Sequence, residues 1–328
     1  MPTSLVTGGA GFIGSHVAQE VLDLGHKVIV LDDLSGGFTS NTPKSAKFIH
    51  GSILDHDLLS ELFKEHQFDY VYHLGAYAAE GLSHFIKRYN YQNNVIGSIN
   101  LINESVKHNI KCFVFTSSIA VYGSQIPPMS EDMIPQPEDP YGIAKYSIEQ
   151  ELKVTKEQFG LNYVIFRPHN VYGERQNIGD KYRNVIGIFM NQIMRNQPLT
   201  IFGNGKQTRA FSYIKDVAPY IARSTKNIDT WNQIFNIGSD ENYTLNHLAK
   251  EVGRAMNSKF TIKYLKERNE VLHAHSSHEK FKKFFSPSKE TSLYEGLNRM
   301  AKWALKSGPM KSSEFSNIEI EKGLPEGW

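Results

Sequence analysis

Tyr141 and Lys145 stand four residues apart in the segment DPYGIAKY, behind Pro140, a residue suited to the first turn of a helix. Four residues are about one helical turn, so the phenol and the ammonium project from the same face. A neighbouring cation favours the phenolate and lowers the tyrosine pKa toward neutrality, which makes it a usable general base for a hydroxyl group. A third group comes from FTSSIAVYG, where an apolar strand ending at Thr116 delivers Ser117 and Ser118 to the end of a sheet. The Ser118 hydroxyl can share the proton that Tyr141 removes. Tyrosine and lysine four apart are ordinary on a helix face, so the pair gains meaning only beside a cofactor site.

The stretch Thr3 to His16, TSLVTGGAGFIGSH, has the pattern of such a site. A short apolar strand runs into Gly8, Gly11 and Gly14, spaced G-x-x-G-x-x-G, and then into a helix opening with Phe12 and Ile13. Gly8 permits the tight turn, Gly11 lets the backbone approach a pyrophosphate, and Gly14 lets the helix pack closely on its strand. A second strand, Lys27 to Leu31, ends at Asp32 and Asp33, about twenty residues on, where an acid takes ribose hydroxyls. An acid there favours NAD over NADP, because it repels a 2′-phosphate. A glycine-rich turn without a ligand would not need strand, glycines, helix, strand and acid in register.

The elements that must position these groups alternate. Strand candidates are Ser4 to Thr7, Lys27 to Leu31, Lys47 to His50, Tyr70 to His73, Lys111 to Thr116 and Asn162 to Arg167. Between them, apolar spacing predicts helices over Phe12 to Leu24, Asp57 to His66, Tyr89 to His108 and Tyr141 to Phe159. Alternation of this kind predicts an α/β fold, a Rossmann-like doubly wound parallel sheet, with the ligand crevice at the carboxyl ends of the strands. After Arg167 the pattern loosens into long loops (Val171 to Asn184, Ile201 to Ala210), helices over Val185 to Asn196, Leu245 to Met256 and Leu293 to Leu305, and short strands at Phe211 to Tyr213, Gln233 to Ile237 and Phe260 to Tyr264. The expected organisation is a cofactor domain over 1–167, a smaller mixed α/β substrate-binding part over 168–306, some of which can return to the main sheet, and a poorly ordered tail over 307–328.

Composition excludes other classes. The chain has 328 residues, 40% of them hydrophobic, enough for a substantial core. Lys and Arg total 36 against 34 acids, so no charge excess points to nucleic acid or a membrane surface. Its one cysteine, Cys112, rules out an internal disulfide. No apolar run reaches membrane-spanning length and the N-terminus enters a strand directly, which makes the cytoplasm the expected compartment.

With these motifs in place, the chain resembles the extended short-chain dehydrogenase/reductase family, in its NAD-dependent nucleotide-sugar epimerase/dehydratase branch of the UDP-glucose 4-epimerase type. The resemblance rests on TGGAGFIGSH, Asp32-Asp33, HLGA, NNVIGSINL, SSIAVYG, YGIAK, RPHNVYG and RAFSYIKD. It implies a tightly held NAD, with Tyr141, Lys145 and Ser118 removing a hydroxyl proton as the nicotinamide takes the hydride from carbon 4 of the sugar. It further implies that Phe12 and Ile13 meet the pyrophosphate, Ser52 and Ile53 the adenine, Leu74, Ala76 and Asn94 the middle of the cofactor, and Pro168 and His169 the nicotinamide side. For a nucleotide-diphosphate sugar it implies Asn170, Asn184, Val185, Thr200, Phe202, Arg209 and Arg268, the arginines having planar forks suited to a diphosphate.

Departures narrow the chemistry. Relatives that dehydrate the sugar carry Asp-Glu directly after the catalytic hydroxyl residue, where this chain has Ile119 and Ala120. Neither transfers a proton, which argues against a 4,6-dehydratase, and the glutamate usual in decarboxylating relatives is missing too. Glu80, in a loop expected beside the sugar, favours a neutral substituent. The expected function is therefore a nucleotide-sugar 4-epimerase, with a UDP-sugar first. The alternatives are a 4-dehydrogenase or 4-ketoreductase using the same residues, and a non-catalytic nucleotide binder.

His273, His275 and His278 cluster in a polar, Ser-rich stretch that reads as solvated side chains, and no metal site is expected. His169 either tunes the nicotinamide end or packs there. By the same resemblance, helices Tyr89 to His108 and Tyr141 to Phe159 pair with their copies in a homodimer. Their apolar stripes, which include Val95, Ile99, Ile102, Ile143, Ile148 and Leu152, would face the sheet in a monomer.

Overall fold

The computed structural model describes residues 1–268, 270–312 and 314–328. Six strands of the first half, β1 (Thr3–Thr7), β2 (Lys27–Asp32), β3 (Lys47–His50), β4 (Tyr70–His73), β5 (Cys112–Thr116) and β6 (Tyr163–Pro168), join a parallel sheet. Its order is Gln233–Ile237, β6, β5, β4, β1, β2, β3. The chain winds outward from β1 through β2 to β3, then returns to β4 on the other side. The order therefore reverses at β1, where Thr7 sits between Leu31 and His73, and the crevice opens at that reversal.

Period-two alternation sorts the strands into two cores. Val6, Val30, Tyr72, Val114, Val164 and Phe166 face one layer, packed with Val17 and Val21 of the helix Phe12–Asp23. Leu5, Ile29, Val71, Phe113, Phe115 and Ile165 face the other, against Leu59, Leu101, Ile148 and Leu152 of the helices His56–His66, Gly97–Lys107 and Pro140–Phe159. Both faces are covered, which is why the strands read as almost continuous apolar runs.

The helix that carries Tyr141 has a defined beginning and end. Asp139 caps it, its Oδ1 accepting the Gly142 N–H at 2.9 Å, Pro140 takes the first turn, and Gly160 stops it at φ +80°.

The strand Gln233–Ile237 is a segment of the second part that returns to the main sheet, as its seventh strand, and pairs with β6 from Gln233↔Val164 to Ile237↔Pro168. Two expectations change. The single helix expected over Tyr89 to His108 is three pieces, Lys87–Tyr91, a π turn at Gln92–Ile96 and Gly97–Lys107. The extra residue in that turn brings Asn90 and Asn94 inward together, and their amides bond to each other at 2.7 Å. Of the expected tail over 307–328, Ser307 ends the helix Leu293–Ser307, and described residues among 308–312 and 314–328 make specific contacts, given below.

The second part builds small sheets where sequence shows mostly loop. Leu199–Phe202 pairs with Ile262–Leu265, Thr208–Ala210 lies between Asn242–Thr244 and His273–Ala274, and Ser212–Tyr213 pairs with Val171–Tyr172. Strands of two to four residues are too short for a periodicity to register. Among the described residues no helix is long and apolar enough to cross a membrane.

Candidate active site

A cavity of about 640 Å³ opens at the carboxyl ends of the strands. Its floor is the glycine loop. Gly8 turns at φ +67°, and a Cβ there would lie 2.7 Å from the Gly75 nitrogen; one on Gly14 would come 2.0 Å from the Gly8 carbonyl oxygen. Only hydrogen fits at either position. No side chain caps the helix Phe12–Asp23 among the described residues, so its first N–H groups face the cavity beside Gly11, Phe12 and Ile13. Asp32 is buried, with burial raising its pKa, and it braces this loop: Oδ2 accepts the Ala10 N–H at 3.0 Å and Oδ1 the Leu34 N–H at 2.8 Å. Each oxygen keeps acceptor capacity for a ribose hydroxyl. Asp33 lies beside it on the same wall. The Thr116 hydroxyl, also on the wall, is a buried oxygen with no hydrogen-bond partner among the described residues. These residues fit a dinucleotide.

Of the other cofactor positions named from sequence, Ile53, Leu74, Ala76, Pro168 and His169 line the cavity. Ser52 and Asn94 are not among the residues lining it. The Ser52 hydroxyl accepts the Leu54 N–H at 3.2 Å, holding the turn that presents Gly51 and Ile53. Asn94 is fully buried and clasps Tyr77 from both sides, accepting its N–H at 2.9 Å and donating to its carbonyl at 3.1 Å. Both polar groups are spent inside the protein, so they support the wall rather than form it.

Ser118, Tyr141 and Lys145 meet on one side of the cavity. The Ser118 hydroxyl stands near the Tyr141 phenol and favours its ionised form. The electrostatics differ from the expected phenolate. Enclosure raises the Tyr141 pKa above its ordinary value; the Ser118 hydroxyl opposes this, and the carboxyls of Asp139 and Glu80 add to it. Lys145 is pulled down to about 7, again mainly by burial, with Glu149 opposing. Its ammonium donates to the Thr116 carbonyl at 2.8 Å and lies 4.7 Å from the Phe115 ring centroid. Dehydration outweighs the mutual support of the pair, and each group is driven toward its neutral form.

A buried network fixes this corner. Arg167 and Glu149 form an ion pair with bonds of 2.9 and 2.5 Å, and both side chains are excluded from water. Glu149 also accepts the Ser117 hydroxyl at 2.5 Å, and Arg167 reaches the Tyr122 hydroxyl at 2.7 Å. Tyr122 in turn donates to Asn236 on the seventh strand at 2.8 Å. The strand end carrying Ser117 and Ser118 is thereby tied to the helix carrying Tyr141 and Lys145.

His169 is packed and connected as well. Its Nε2 lies 2.9 Å from Nε2 of His278, whose Nδ1 is 2.6 Å from Asp240, and its Nδ1 is 3.4 Å from the Ala210 carbonyl. Asp240 and the carbonyl can only accept, so the His278 Nδ1 and the His169 Nδ1 are the donors in those two bonds. Burial and the neighbouring His278 lower the His169 pKa to about 3. His278 is therefore buried rather than solvated, contrary to the sequence expectation, because Asp240 draws it inward. Among the described residues no histidine, cysteine and acid cluster could hold a metal.

Asn170, Asn184, Val185, Thr200, Phe202, Arg209 and Arg268 all line the far arm of the cavity. Asn184 sits at φ +61° before the helix Val185–Met194, and Thr200 is held by Gln192 at 2.9 Å. Arg209 donates to the Thr208 and Leu272 carbonyls at 2.9 Å, and Arg268 to Glu270 at 3.0 and 3.2 Å. Glu80 faces this arm, its pKa raised to about 7 by enclosure and by Asp139. Sequence reasoning missed Tyr182, Arg183 and Trp328, which also line the arm; Arg183 pairs with Asp180 and stacks 4.9 Å from the Tyr77 ring centroid. No spacing rule connects these residues to the glycine loop.

A glycine cradle for a dinucleotide, a tyrosine and a serine at one side, and two arginines along the far arm define a dinucleotide-dependent enzyme class with room for a phosphorylated substrate. The chain belongs to the NAD dependent epimerase/dehydratase family, whose model matches residues 4–238. It is 34% identical to UDP-glucose 4-epimerase of Halalkalibacterium halodurans over 256 residues, 74% of this chain and 76% of that one. The solved UDP-glucose 4-epimerase of Thermotoga maritima with UDP-glucose has a TM-score of 0.89 at 34% identity, covering 93% of this chain and 99% of the other. That of Thermus thermophilus in complex with NAD has a TM-score of 0.86 at 27% identity, covering 92% and 98%.

Proposed function

We propose that the protein is an NAD-dependent nucleotide-sugar 4-epimerase, with a UDP-sugar as its first candidate substrate. The observation that carries this is the convergence, in one cavity, of the glycine cradle, the Ser118–Tyr141–Lys145 group and Arg209 with Arg268. Bound NAD supplies reversible hydride acceptance at the sugar. The chain's own residues do the rest. Tyr141 takes the proton of the 4-hydroxyl and later returns it, Ser118 shares that proton from the same side of the cavity, and Lys145 supports the charge and offers its ammonium to a ribose hydroxyl. Because burial drives both groups of the resting pair toward their neutral forms, ligand binding must supply the charge balance that ionises the phenol. Arg209 and Arg268 hold the diphosphate, so the sugar is left free to turn between hydride steps. Residues 1–167 serve the cofactor and 168–306 mainly the nucleotide sugar.

We further propose a homodimer. On the paired helices Ile102, Ile148 and Leu152 are buried against the sheet, whereas Ile96, Ile143 and Val154 are 51, 44 and 58% exposed. A monomer leaves this second apolar face in water.

One observation favours net oxidation or reduction as a second reading. The His169–His278 chain leads from the cavity to Asp240, whose side chain is half exposed, a route by which a proton can reach solvent. The test of both is incubation of the purified enzyme with a panel of nucleotide sugars, reading product stereochemistry by NMR and NADH by absorbance. Inversion at carbon 4 without accumulating NADH is expected; stoichiometric NADH formation or consumption replaces epimerase with dehydrogenase or ketoreductase.

A further inference from the structure

The far arm of the cavity has a wall that no motif announces. After the helix Leu293–Ser307 the chain runs along the second part, where Met310 exchanges backbone hydrogen bonds of 2.9 and 3.0 Å with the Asn191 amide. The Phe315 N–H donates to the Tyr182 hydroxyl at 3.1 Å, and the Phe315 ring packs on Tyr77 and Tyr89 across the cleft, with centroids 5.3 and 5.0 Å away. Glu319 then closes the start of the helix Lys87–Tyr91, its carboxylate accepting the Arg88 and Tyr89 N–H groups at 2.8 and 2.9 Å. The chain turns back, Lys181 donates to the Gly327 carbonyl at 3.0 Å, and Trp328 enters the cavity wall.

There the indole lies edge-on to Tyr182 and Phe202, with centroids 5.4 and 6.2 Å apart, and so close to the loop of Glu80 that a Cβ on Gly81 would come within 2.8 Å of it. Arg268 lies against both aromatic rings, its guanidinium carbon 4.6 Å from the Phe202 centroid and 5.3 Å from that of Trp328. A guanidinium held by ring faces keeps its in-plane N–H groups for edge-on acceptors. Glu270 occupies Nε and one Nη2 hydrogen, which leaves the other N–H groups for a ligand.

We propose that residues 308–312 and 314–328 are part of the substrate site. The segment straps the two sides of the cleft together, and Trp328 is a positioning residue that holds Arg268 in the plane in which it meets a nucleoside diphosphate. This rests on the nucleotide-sugar function proposed above. Without the indole the long arginine side chain regains rotational freedom, and part of the binding free energy goes into ordering it again.

The test is calorimetric titration of UDP alone into the holoenzyme and its Trp328→Ala, Trp328→Phe and Glu319→Ala variants. Expected are about tenfold weaker UDP binding for Trp328→Ala, near-parental binding for Trp328→Phe, and an intermediate loss for Glu319→Ala, which loosens the strap far from the arginine. In turnover the Trp328→Ala effect falls on KM rather than kcat, at an unchanged melting temperature. Equal UDP affinity in the parent and Trp328→Ala overturns the strap while leaving the proposed function standing. A lowered melting temperature with kcat and KM lost together also overturns it, as mere structural support. Absence of UDP binding by the parent overturns the UDP-sugar assignment and the strap argued from it, while the epimerase proposal is then decided by the nucleotide-sugar panel.

Discussion

The Lys145 ammonium lies 5.8 Å from the centroid of the Tyr141 ring, yet its hydrogen bond goes to the Thr116 carbonyl at 2.8 Å. The lysine therefore acts on the phenol through space, from a fixed position on the end of β5.

Tyr141→Phe removes the proton acceptor and keeps the ring. Turnover of the nucleotide sugar is expected to fall by about 10²- to 10⁴-fold, with NAD content and UDP affinity preserved. Parental turnover in this variant would remove the mechanism.

Burial lowers Lys145 to about 7 from an ordinary value of 10.5. Between those two pH values the unfolded chain holds a proton there that the folded chain does not, so stability of the ligand-free protein rises with pH across that window. This one group contributes a slope of at most about 1.4 kcal/mol per pH unit. Lys145→Met is expected to flatten the rise between pH 7 and 10, read as urea midpoints of parent and variant side by side. An identical slope in both would show that Lys145 keeps its proton when buried.

Gly14→Ala is expected to weaken NAD binding and lower stability by about 1–3 kcal/mol, because the new methyl group meets the Gly8 carbonyl oxygen at 2.0 Å. The obstacle is backbone on both sides, so no rotamer relieves it. Fluorescence titration with NADH and thermal melting report the two effects separately.

Glu149→Gln leaves Arg167 buried beside an uncharged amide. A loss of about 3–5 kcal/mol in stability is expected from the broken pair. Turnover should fall as well, since Glu149 also holds Ser117 next to Ser118.

Ile143→Glu places a charge in the middle of the exposed apolar face of the paired helices. If the protein is a dimer through that face, light scattering will show the parent as a dimer and the variant as a monomer at the same concentration. A parent already monomeric ends the dimer proposal.

Local rules carried much of this protein. The spacing of Gly8, Gly11 and Gly14, the acid ending β2, and Tyr141 four residues before Lys145 follow from turn geometry and helical pitch, which a stretch of a dozen residues encodes by itself. The alternation of strands and helices was legible for the same reason, since burial of one face imposes its period on the neighbouring residues. Tertiary structure alone decided where polar groups spend their hydrogen bonds. Asn94 turned to Tyr77, Ser52 to Leu54 and His278 to Asp240, and these choices depend on neighbours distant in the chain or on how a turn closes. It also decided that Gln233–Ile237 returns to the main sheet and that Trp328 closes the arm of Arg268, both long-range contacts without a local periodicity. The balance of charge at Tyr141 and Lys145 belongs there too. Spacing shows that two groups share a helix face, but only the packed surroundings determine how much water remains to solvate them.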